Sequence, residues 1–181
     1  MVAVVLATSG LLKLQDPEPA RATLRQIGLR GGRWSARSLG LLEIAVAVGV
    51  LVVGGPIANA AIAALAAAFV VVSWRLLNGA TAAETCGCFG RFSAPPSRLH
   101  VAVNIVSLGV AVLATSQRTP GLVATVREQG SIGWALGGLG LIGGLLALAV
   151  MTVLPATLAA ANPLRSDRSP VGLFRIAGEV A

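Results

Sequence analysis

Five runs of apolar residues alternate along this chain with short segments rich in glycine, proline or charged residues. Runs of this kind predict membrane-spanning helices, which need about 20 apolar residues to cross the hydrocarbon layer. The first run is too short to cross by itself. The predicted spans are about 1–13, 36–53, 57–77, 98–115 and 131–159. We assign 1–160 to one transmembrane helical domain and 161–181 to a polar C-terminal tail.

Composition supports the same class. Hydrophobic residues make up 55% of the 181 residues and charged residues only 12%, with a mean hydropathy of +0.83. A soluble domain normally carries about twice that share of charge. The sequence therefore predicts an all-α integral membrane helical bundle. The net charge of +7 is expected to face lipid headgroups, and the absence of tyrosine argues against a nucleic-acid partner.

A short amphipathic segment follows the first apolar run. Asp16 is expected to cap its N-terminus, with Pro17 in the first turn and Gly28 at its end. Leu24 lies on its apolar face and Trp34 follows as an anchor. This pattern predicts a helix that lies in the membrane interface.

The two cysteines of the chain, Cys86 and Cys88, are separated by one glycine in a polar loop. Two extended residues span about 7 Å, which is near the limit for the Cα atoms of a disulfide. The pair can close only if Gly87 bends the chain, and such a strained disulfide is easily reduced. Electron transfer is therefore one interpretation, and two unpaired buried thiols are the other.

Helix parity brings several polar groups to the same side of the membrane as this loop. Lys13 and Asp16 end the first span, while Glu43 and Asn104 lie near the starts of the second and fourth spans. A carboxylate within a span usually faces a partner or a cavity, although a protonated structural acid is equally consistent. The sequence predicts that these groups converge with the cysteines on one site.

His100, near the start of the fourth span, raises a metal alternative. It would join Cys86 and Cys88 as a third ligand, and two close thiolates suit a soft ion such as copper(I). An interfacial histidine without that role is the commoner arrangement.

The fifth span carries a row of glycines. Their spacing of four, three and four residues places them on one helical face, which predicts a packing surface inside the bundle or against a subunit of a larger complex. These glycines are Gly133, Gly137, Gly140 and Gly144.

The polar motifs resemble those of the methylamine-utilisation MauE family, which is grouped with DoxX-like redox-associated membrane proteins. The resemblance covers about Val4 to Ala114. It rests on Leu12–Pro17, Leu41–Ala47, Cys86–Gly90 and Asn104. It implies a four-helix core like that of vitamin K epoxide reductase, here with a fifth span, in the cell membrane. It also implies disulfide handling with a thioredoxin-like partner, as in maturing a disulfide-rich dehydrogenase subunit.

We interpret the chain as a thiol–disulfide redox protein, and the sequence leaves open whether it is itself an oxidoreductase. Cys86 and Cys88 would carry the electrons, and Glu43 would relay a proton or bind the partner. Lys13 would lower a thiolate pKa. No cofactor is evident, and a quinone is a candidate acceptor. The loop is expected to be shaped by Gly87, Phe89 and Gly90. The alternatives are copper binding or delivery, and a non-catalytic subunit.

Two arguments about orientation disagree. Of the 14 basic residues, only Arg118 and Arg127 lie on the side opposite the cysteines. The positive-inside rule then places the cysteines at the cytoplasmic face. The resemblance, with its exported clients, places them outside, where disulfides persist. We favour the outside.

Overall fold

Seven α-helices and one short 3₁₀ turn make up the described part of the chain, which contains no strand and only an isolated bridge between Gly54 and Pro120. The computed structural model describes residues 1–29, 31–79, 86–93, 96–117, 119–154 and 157, apart from the Arg91 side chain. The predicted tail, 161–181, lies outside these residues. The helices are α1 (Val2–Gln15), α2 (Glu18–Gln26), α3 (Arg33–Val52), α4 (Gly55–Asn78), α5 (Arg98–Ser116), α6 (Leu122–Gln129) and α7 (Ser131–Thr152), and the 3₁₀ turn is Gly90–Phe92.

Four of these helices, α3, α4, α5 and α7, are long and apolar enough to cross a membrane. They contain 20, 24, 19 and 22 residues. At 1.5 Å per residue, each approaches or exceeds the roughly 30 Å of a hydrocarbon layer. The first helix, α1, is apolar but has only 14 residues. The prediction of a helical membrane protein is confirmed, with four spanning candidates and one shorter apolar helix in the described residues.

Two helix pairs form the frame of the bundle, because α1 packs mainly on α3 and α4 packs mainly on α5. A core of small and aliphatic side chains joins the pairs, which allows the backbones to approach closely. The buried members of this core are Ala3, Leu6, Ala47, Ile62 and Ala111.

The end of the bundle remote from the cysteines is closed by contacts between two connections. Gly54 has a φ of +66°, and a Cβ on it would collide with the backbone nitrogen of Gly121. The Gly55 N–H donates to the Thr119 carbonyl at 2.9 Å, and Asn59 Nδ2 donates to Thr119 Oγ1 at 2.9 Å. The α3–α4 turn is therefore fixed to the segment that follows α5.

One local prediction was wrong, and one helix was not predicted. Asp16 does not cap α2, because it ends α1 and the N-cap of α2 is Pro17. Its Oδ1 nevertheless accepts a hydrogen bond from the Glu18 N–H at 3.3 Å. The polar connection between the fourth and fifth spans contains a further helix, α6. The fifth span itself is recorded to Thr152, and its predicted extension to 159 lies mostly outside the described residues.

The glycine face of α7 is occupied by this chain's own helices. A Cβ on Gly133 would lie 2.6 Å from Val126 of α6, and one on Gly144 would lie 2.7 Å from Val4 of α1. Side chains at these positions would push α7 away from both neighbours. The face therefore serves packing inside the bundle, the first of the two predicted alternatives.

Candidate functional site

The two cysteines are free thiols whose sulfur atoms lie 3.0 Å apart. Gly87 between them has a φ of +66°, a left-handed conformation that a side chain rarely adopts. This bend, predicted from the spacing, turns both side chains toward each other. Cys86 is buried and 1% exposed, whereas Cys88 is half-buried.

Helix α2 holds the cysteine loop from one side. Thr23 Oγ1 donates a hydrogen bond to the Cys86 carbonyl at 3.1 Å. A Cβ on Gly87 would collide with Thr23 Oγ1 and would lie 2.6 Å from the Pro19 carbonyl oxygen. The predicted interfacial helix is therefore also the support on which the bend at Gly87 rests.

The remainder of the loop packs on the end of α1. Gly90 has a φ of +53°, and a Cβ on it would lie 3.2 Å from the Leu12 carbonyl oxygen. Phe89 is buried, and its N–H donates to Ser93 Oγ at 2.9 Å. Thr85 and Glu84, which precede the pair, lie outside the described residues.

A buried ion pair lies directly beneath the loop. Lys13 Nζ is 3.0 Å from Glu43 Oε2 and 2.9 Å from Oε1, and the two side chains are 2% and 0% exposed. The same ammonium donates to the Cys88 carbonyl at 2.8 Å and to Ser9 Oγ at 2.5 Å. It also lies 5.6 Å from the centre of the Phe69 ring, a cation–π distance. Lys13 therefore bridges the carboxylate and the loop backbone.

A glycine-to-glycine contact explains why the two charges meet. A Cβ on Gly10 of α1 would lie 2.5 Å from the Gly40 carbonyl oxygen of α3, and a Cβ on Gly40 would lie 2.7 Å from that of Gly10. Lys13 and Glu43 each follow one of these glycines by three residues, so they lie on the same helical faces. Close contact of the helices therefore aligns the ion pair.

A second polar contact joins α4 and α5 on the other side of the loop. Asn104 Nδ2 donates to Ser73 Oγ at 3.1 Å, and Ser73 is 1% exposed. Asn104 also lines the same small cavity as Cys88 and Phe89. The structure thus places Asn104 beside the cysteine loop, as helix parity predicts.

The two thiols are electrostatically unequal. A hydrogen bond with the Cys88 thiol lowers the pKa of Cys86, with smaller contributions in the same direction from Ser73 and Lys13 and an opposing one from burial. The same bond and burial raise the pKa of Cys88 well above that of an ordinary thiol. The first proton to leave the pair is therefore lost from Cys86, and the resulting thiolate accepts a hydrogen bond from Cys88.

Cys88 adjoins two narrow cavities, each of about 40 Å³. One lies toward α5 and α7 and is also lined by Asn104, Ser107 and Met151. The other lies toward α2 and is also lined by Cys86. A water molecule occupies about 30 Å³ in the liquid, so either space suits water rather than a large ligand.

The His100 side chain does not join the cluster of Lys13, Glu43 and the cysteine loop, whereas a Cβ on Gly90 of the loop would lie 3.6 Å from the Asp16 carbonyl oxygen. His100 is buried, and its Nδ1 lies 2.9 Å from Ser97 Oγ near the start of α5. Within the described residues, no group of three histidine, cysteine or acidic side chains is placed to hold a metal ion. The three ligands of the metal alternative, Cys86, Cys88 and His100, are therefore not brought together.

Three small polar residues in this site escaped the sequence analysis. Ser9 Oγ donates to the Cys88 carbonyl at 2.8 Å, Thr23 Oγ1 donates to the Cys86 carbonyl, and Ser73 Oγ accepts from Asn104. Ser9 lies one helical turn before Lys13, and this spacing is the only sequence signal that could have identified it. Serine and threonine are ordinary in membrane helices, so their partners become visible only when the helices are packed.

Taken together, the bundle and the site define a multi-pass membrane protein with a thiol pair held over a buried ion pair. The family model described as "Methylamine utilisation protein MauE" matches residues 1–117, which contain every residue of this site. The chain belongs to the MauE family. No curated protein and no solved structure gives a significant match.

Proposed function

We propose that this MauE-family protein is a thiol–disulfide redox protein that supports disulfide formation and maturation of partner proteins. Its Cys86–Cys88 pair would exchange electrons with the dithiol of a thioredoxin-like partner, in a process of the methylamine-utilisation type. The observation that carries the proposal is the 3.0 Å separation of the two free sulfurs across Gly87. Contacts from Lys13 of α1 and Thr23 of α2 hold the loop in that arrangement, and Glu43 of α3 pairs with Lys13.

The exchange balances as a two-electron, two-proton transfer. A thiolate of the partner attacks one sulfur of the Cys86–Cys88 disulfide, forms a mixed disulfide and releases the other cysteine as a thiolate. The partner's second thiolate then attacks its own sulfur of the mixed disulfide and releases the second cysteine. The partner leaves as a disulfide, and Cys86 and Cys88 become a dithiol after taking up two protons.

Lys13 and Glu43 would support this cycle from below the loop. Lys13 fixes the Cys88 carbonyl, so the loop keeps its position while the sulfur atoms change bonds. Glu43 Oε1 is buried and lies 2.9 Å from Lys13 Nζ. Glu43 would relay a proton through this pair, or bind the partner, as the thiols change their protonation state.

The finer expectations from the family resemblance belong to the same proposal. The four-helix core would be of the vitamin K epoxide reductase and DoxX type, with α7 as a fifth transmembrane helix, embedded in the lipid bilayer of the cell membrane. A quinone as electron acceptor stays a prediction. The cavity beside Cys88, at about 40 Å³, is smaller than a quinone ring, so the residues present do not fit that ring in this arrangement.

The proposal is tested by redox titration of the purified protein against glutathione, followed by acid quench, thiol alkylation and mass measurement. We expect one two-electron transition from dithiol to an intramolecular disulfide, and we expect Cys86→Ser and Cys88→Ser to abolish it. Ser116→Ala, at the end of α5 remote from the loop, is the control and should titrate like the parent chain.

Two outcomes would overturn the proposal. In the first, both cysteines stay free thiols under strong oxidant and form no mixed disulfide with a thioredoxin-like protein. This result would favour the interpretation of the chain as a non-catalytic subunit. If the purified chain binds one copper ion that the cysteine variants lose, copper binding or delivery gains instead.

A further inference from the structure

The carbonyl oxygens of the two cysteines are held by hydroxyls from two different helices. Ser9 Oγ of α1 donates to the Cys88 carbonyl at 2.8 Å, and Thr23 Oγ1 of α2 donates to the Cys86 carbonyl at 3.1 Å. Ser9 is 4% exposed and Thr23 is 7% exposed, so water competes little for either bond. One hydroxyl therefore fixes the loop before Gly87, and the other fixes it after Gly87.

The hydroxyl on α1 is itself oriented by the buried ion pair. Lys13 Nζ donates to Ser9 Oγ at 2.5 Å and to the Cys88 carbonyl at 2.8 Å, and it pairs with Glu43. An ammonium has three hydrogens and a hydroxyl has one. The three hydrogens of Lys13 are thus directed at three acceptors, and the single hydrogen of Ser9 is left for the Cys88 carbonyl.

The hydroxyl on α2 lies against the bend between the cysteines. A Cβ on Gly87 would collide with Thr23 Oγ1 and would lie 3.0 Å from Thr23 Cβ. The side chain of Thr23 therefore holds the Cys86 carbonyl and also limits the space into which the bend can move.

The loop that these hydroxyls hold is close to the geometry of a closed disulfide. The sulfur atoms of Cys86 and Cys88 lie 3.0 Å apart, and a disulfide bond is about 2.05 Å long. Closing the bond thus needs the sulfurs to approach by only about 1 Å. Reacting groups that are already held near each other react as if they were present at high concentration.

We propose that Ser9 and Thr23 are positioning residues that raise the effective concentration of the two thiols for each other, and that they thereby favour the disulfide. This inference rests on the proposed redox function. Closing the disulfide removes two electrons and two protons from Cys86 and Cys88, and oxidised glutathione takes them up as two molecules of reduced glutathione. Each hydroxyl acts through the carbonyl that it holds.

The first experiment measures the equilibrium constant for closing the disulfide in mixtures of reduced and oxidised glutathione, by acid quench, thiol alkylation and mass measurement. We expect Ser9→Ala and Thr23→Val each to lower this constant about fivefold, through the loss of one hydrogen bond. Thr23→Ser keeps the hydroxyl and should keep the parent value. Thr8→Val is the matched control, because Thr8 Oγ1 donates to the Val4 carbonyl within its own helix.

A constant that is unchanged or raised in Ser9→Ala or in Thr23→Val would overturn the role of that residue. A decrease in Thr23→Ser as large as that in Thr23→Val would show that the hydroxyl is not the cause. Thr23 lies in α2, outside the spanning helices. The Thr23 variants therefore test the proposal even if Ser9→Ala, beside the ion pair, fails to fold.

The second experiment measures hydrogen exchange of the loop, residues 86–93, in the reduced protein and does not require a disulfide. We expect faster exchange in Ser9→Ala and Thr23→Val than in Thr8→Val, because a loop with one anchor opens more often. Equal exchange in the three variants would contradict the anchoring of the loop by these hydroxyls.

The two experiments separate this inference from the function on which it rests. If the parent chain forms no disulfide in any glutathione mixture but exchange is still faster in Ser9→Ala and Thr23→Val, the anchors stand and the redox function fails. If the parent chain forms the disulfide and both variants share the equilibrium constant of Thr8→Val, the redox function stands and the positioning role fails.

Discussion

Lys13 Nζ donates its hydrogen bond to the carbonyl oxygen of Cys88, 2.8 Å away, rather than to a thiol. The sequence suggested that this lysine would lower the pKa of a thiolate. The charge of Lys13 does lower the pKa of Cys86, but hydrogen bonds with Cys88 lower that pKa more. The contacts of Lys13 instead link the loop backbone to Glu43 and Ser9. Its main part is to hold the loop on the bundle.

Replacing Lys13 by methionine should destabilise the protein strongly, because Glu43 would stay buried without its partner. Breaking a buried ion pair in this way costs about 3–5 kcal/mol. The double variant Lys13→Met/Glu43→Leu should recover much of that loss, since no charge is then left unpaired. Denaturant unfolding in detergent micelles measures both, with Arg25→Met on the exposed face of α2 as control. Equal stability of the single and double variants would contradict the pairing.

The contact between Gly10 and Gly40 should tolerate no side chain. In Gly10→Ala, the added Cβ would lie 2.5 Å from the Gly40 carbonyl oxygen, which forces α1 and α3 apart. Overpacking of this kind costs about 1–3 kcal/mol. Gly49→Ala is the matched control, because a Cβ there meets nothing within 4 Å. Unfolding curves should show a lower free energy of unfolding for Gly10→Ala and no decrease for Gly49→Ala. Equal decreases in the two variants would mean that the close approach of α1 and α3 does not stabilise the bundle.

The bend at Gly87 should control disulfide closure. Gly87→Val adds a branched side chain at a φ of +66° and drives it into Thr23, so both the turn and its support on α2 are disturbed. We expect slower oxidation of the pair, measured by timed alkylation. Gly28→Val imposes the same backbone penalty at a φ of +83° in open space. It should leave the oxidation rate unchanged, and a matching slowdown there would show that contact with α2 is not the cause.

The long helices could be predicted because their apolar runs are bounded by glycine, proline and charge. The second, third and fourth predicted spans agree with α3, α4 and α5 within three residues at each end. Helix α6 was missed because it has only eight residues, mixes polar with apolar side chains and has Gly121 as its N-cap, which offers no capping side chain. Its existence depends on packing against α7, which the local sequence does not encode.

The site could be predicted in part for a related reason. A charge such as Glu43 is conspicuous in an apolar helix, and helix parity fixes the end of the bundle at which it lies. The contact between Gly10 and Gly40 is not conspicuous, since the chain has 22 glycines. Ser73 is equally ordinary by type. Which glycines touch and which hydroxyl pairs with Asn104 depend on helix rotation and crossing, which a single sequence does not reveal.

The reduced pair should lose its two protons at well-separated pH values. Because the pKa of Cys86 is lowered and that of Cys88 is raised, one thiolate should form below the range of an ordinary thiol, about pH 8.5, and the second only above it. Thiolate absorbance of the reduced protein against pH measures both steps. In Cys86→Ser the early step should disappear. A single step of two protons near the ordinary value would contradict the unequal environments.

Orientation of the bundle can be decided with two reporters at opposite ends. Both reporters are introduced in the Cys86→Ser/Cys88→Ser background. Asn78→Cys lies at the end of α4 nearest the cysteine loop, and Gln129→Cys lies at the opposite end of the bundle, where α6 ends. Both positions are exposed. A membrane-impermeant maleimide added to whole cells should label only the reporter that faces outside.

We expect labelling of Asn78→Cys and none of Gln129→Cys, which would place the cysteine loop outside. The charge rule opposes this expectation, but Lys13 no longer counts among the surface charges, because it is 2% exposed and paired with Glu43. Exposed arginines such as Arg25, Arg75 and Arg98 still lie at the loop end and keep the rule's preference for the cytoplasm. The reverse labelling pattern would place the loop in the cytoplasm, where a disulfide is kept reduced. The pair would then deliver electrons to a partner rather than withdraw them.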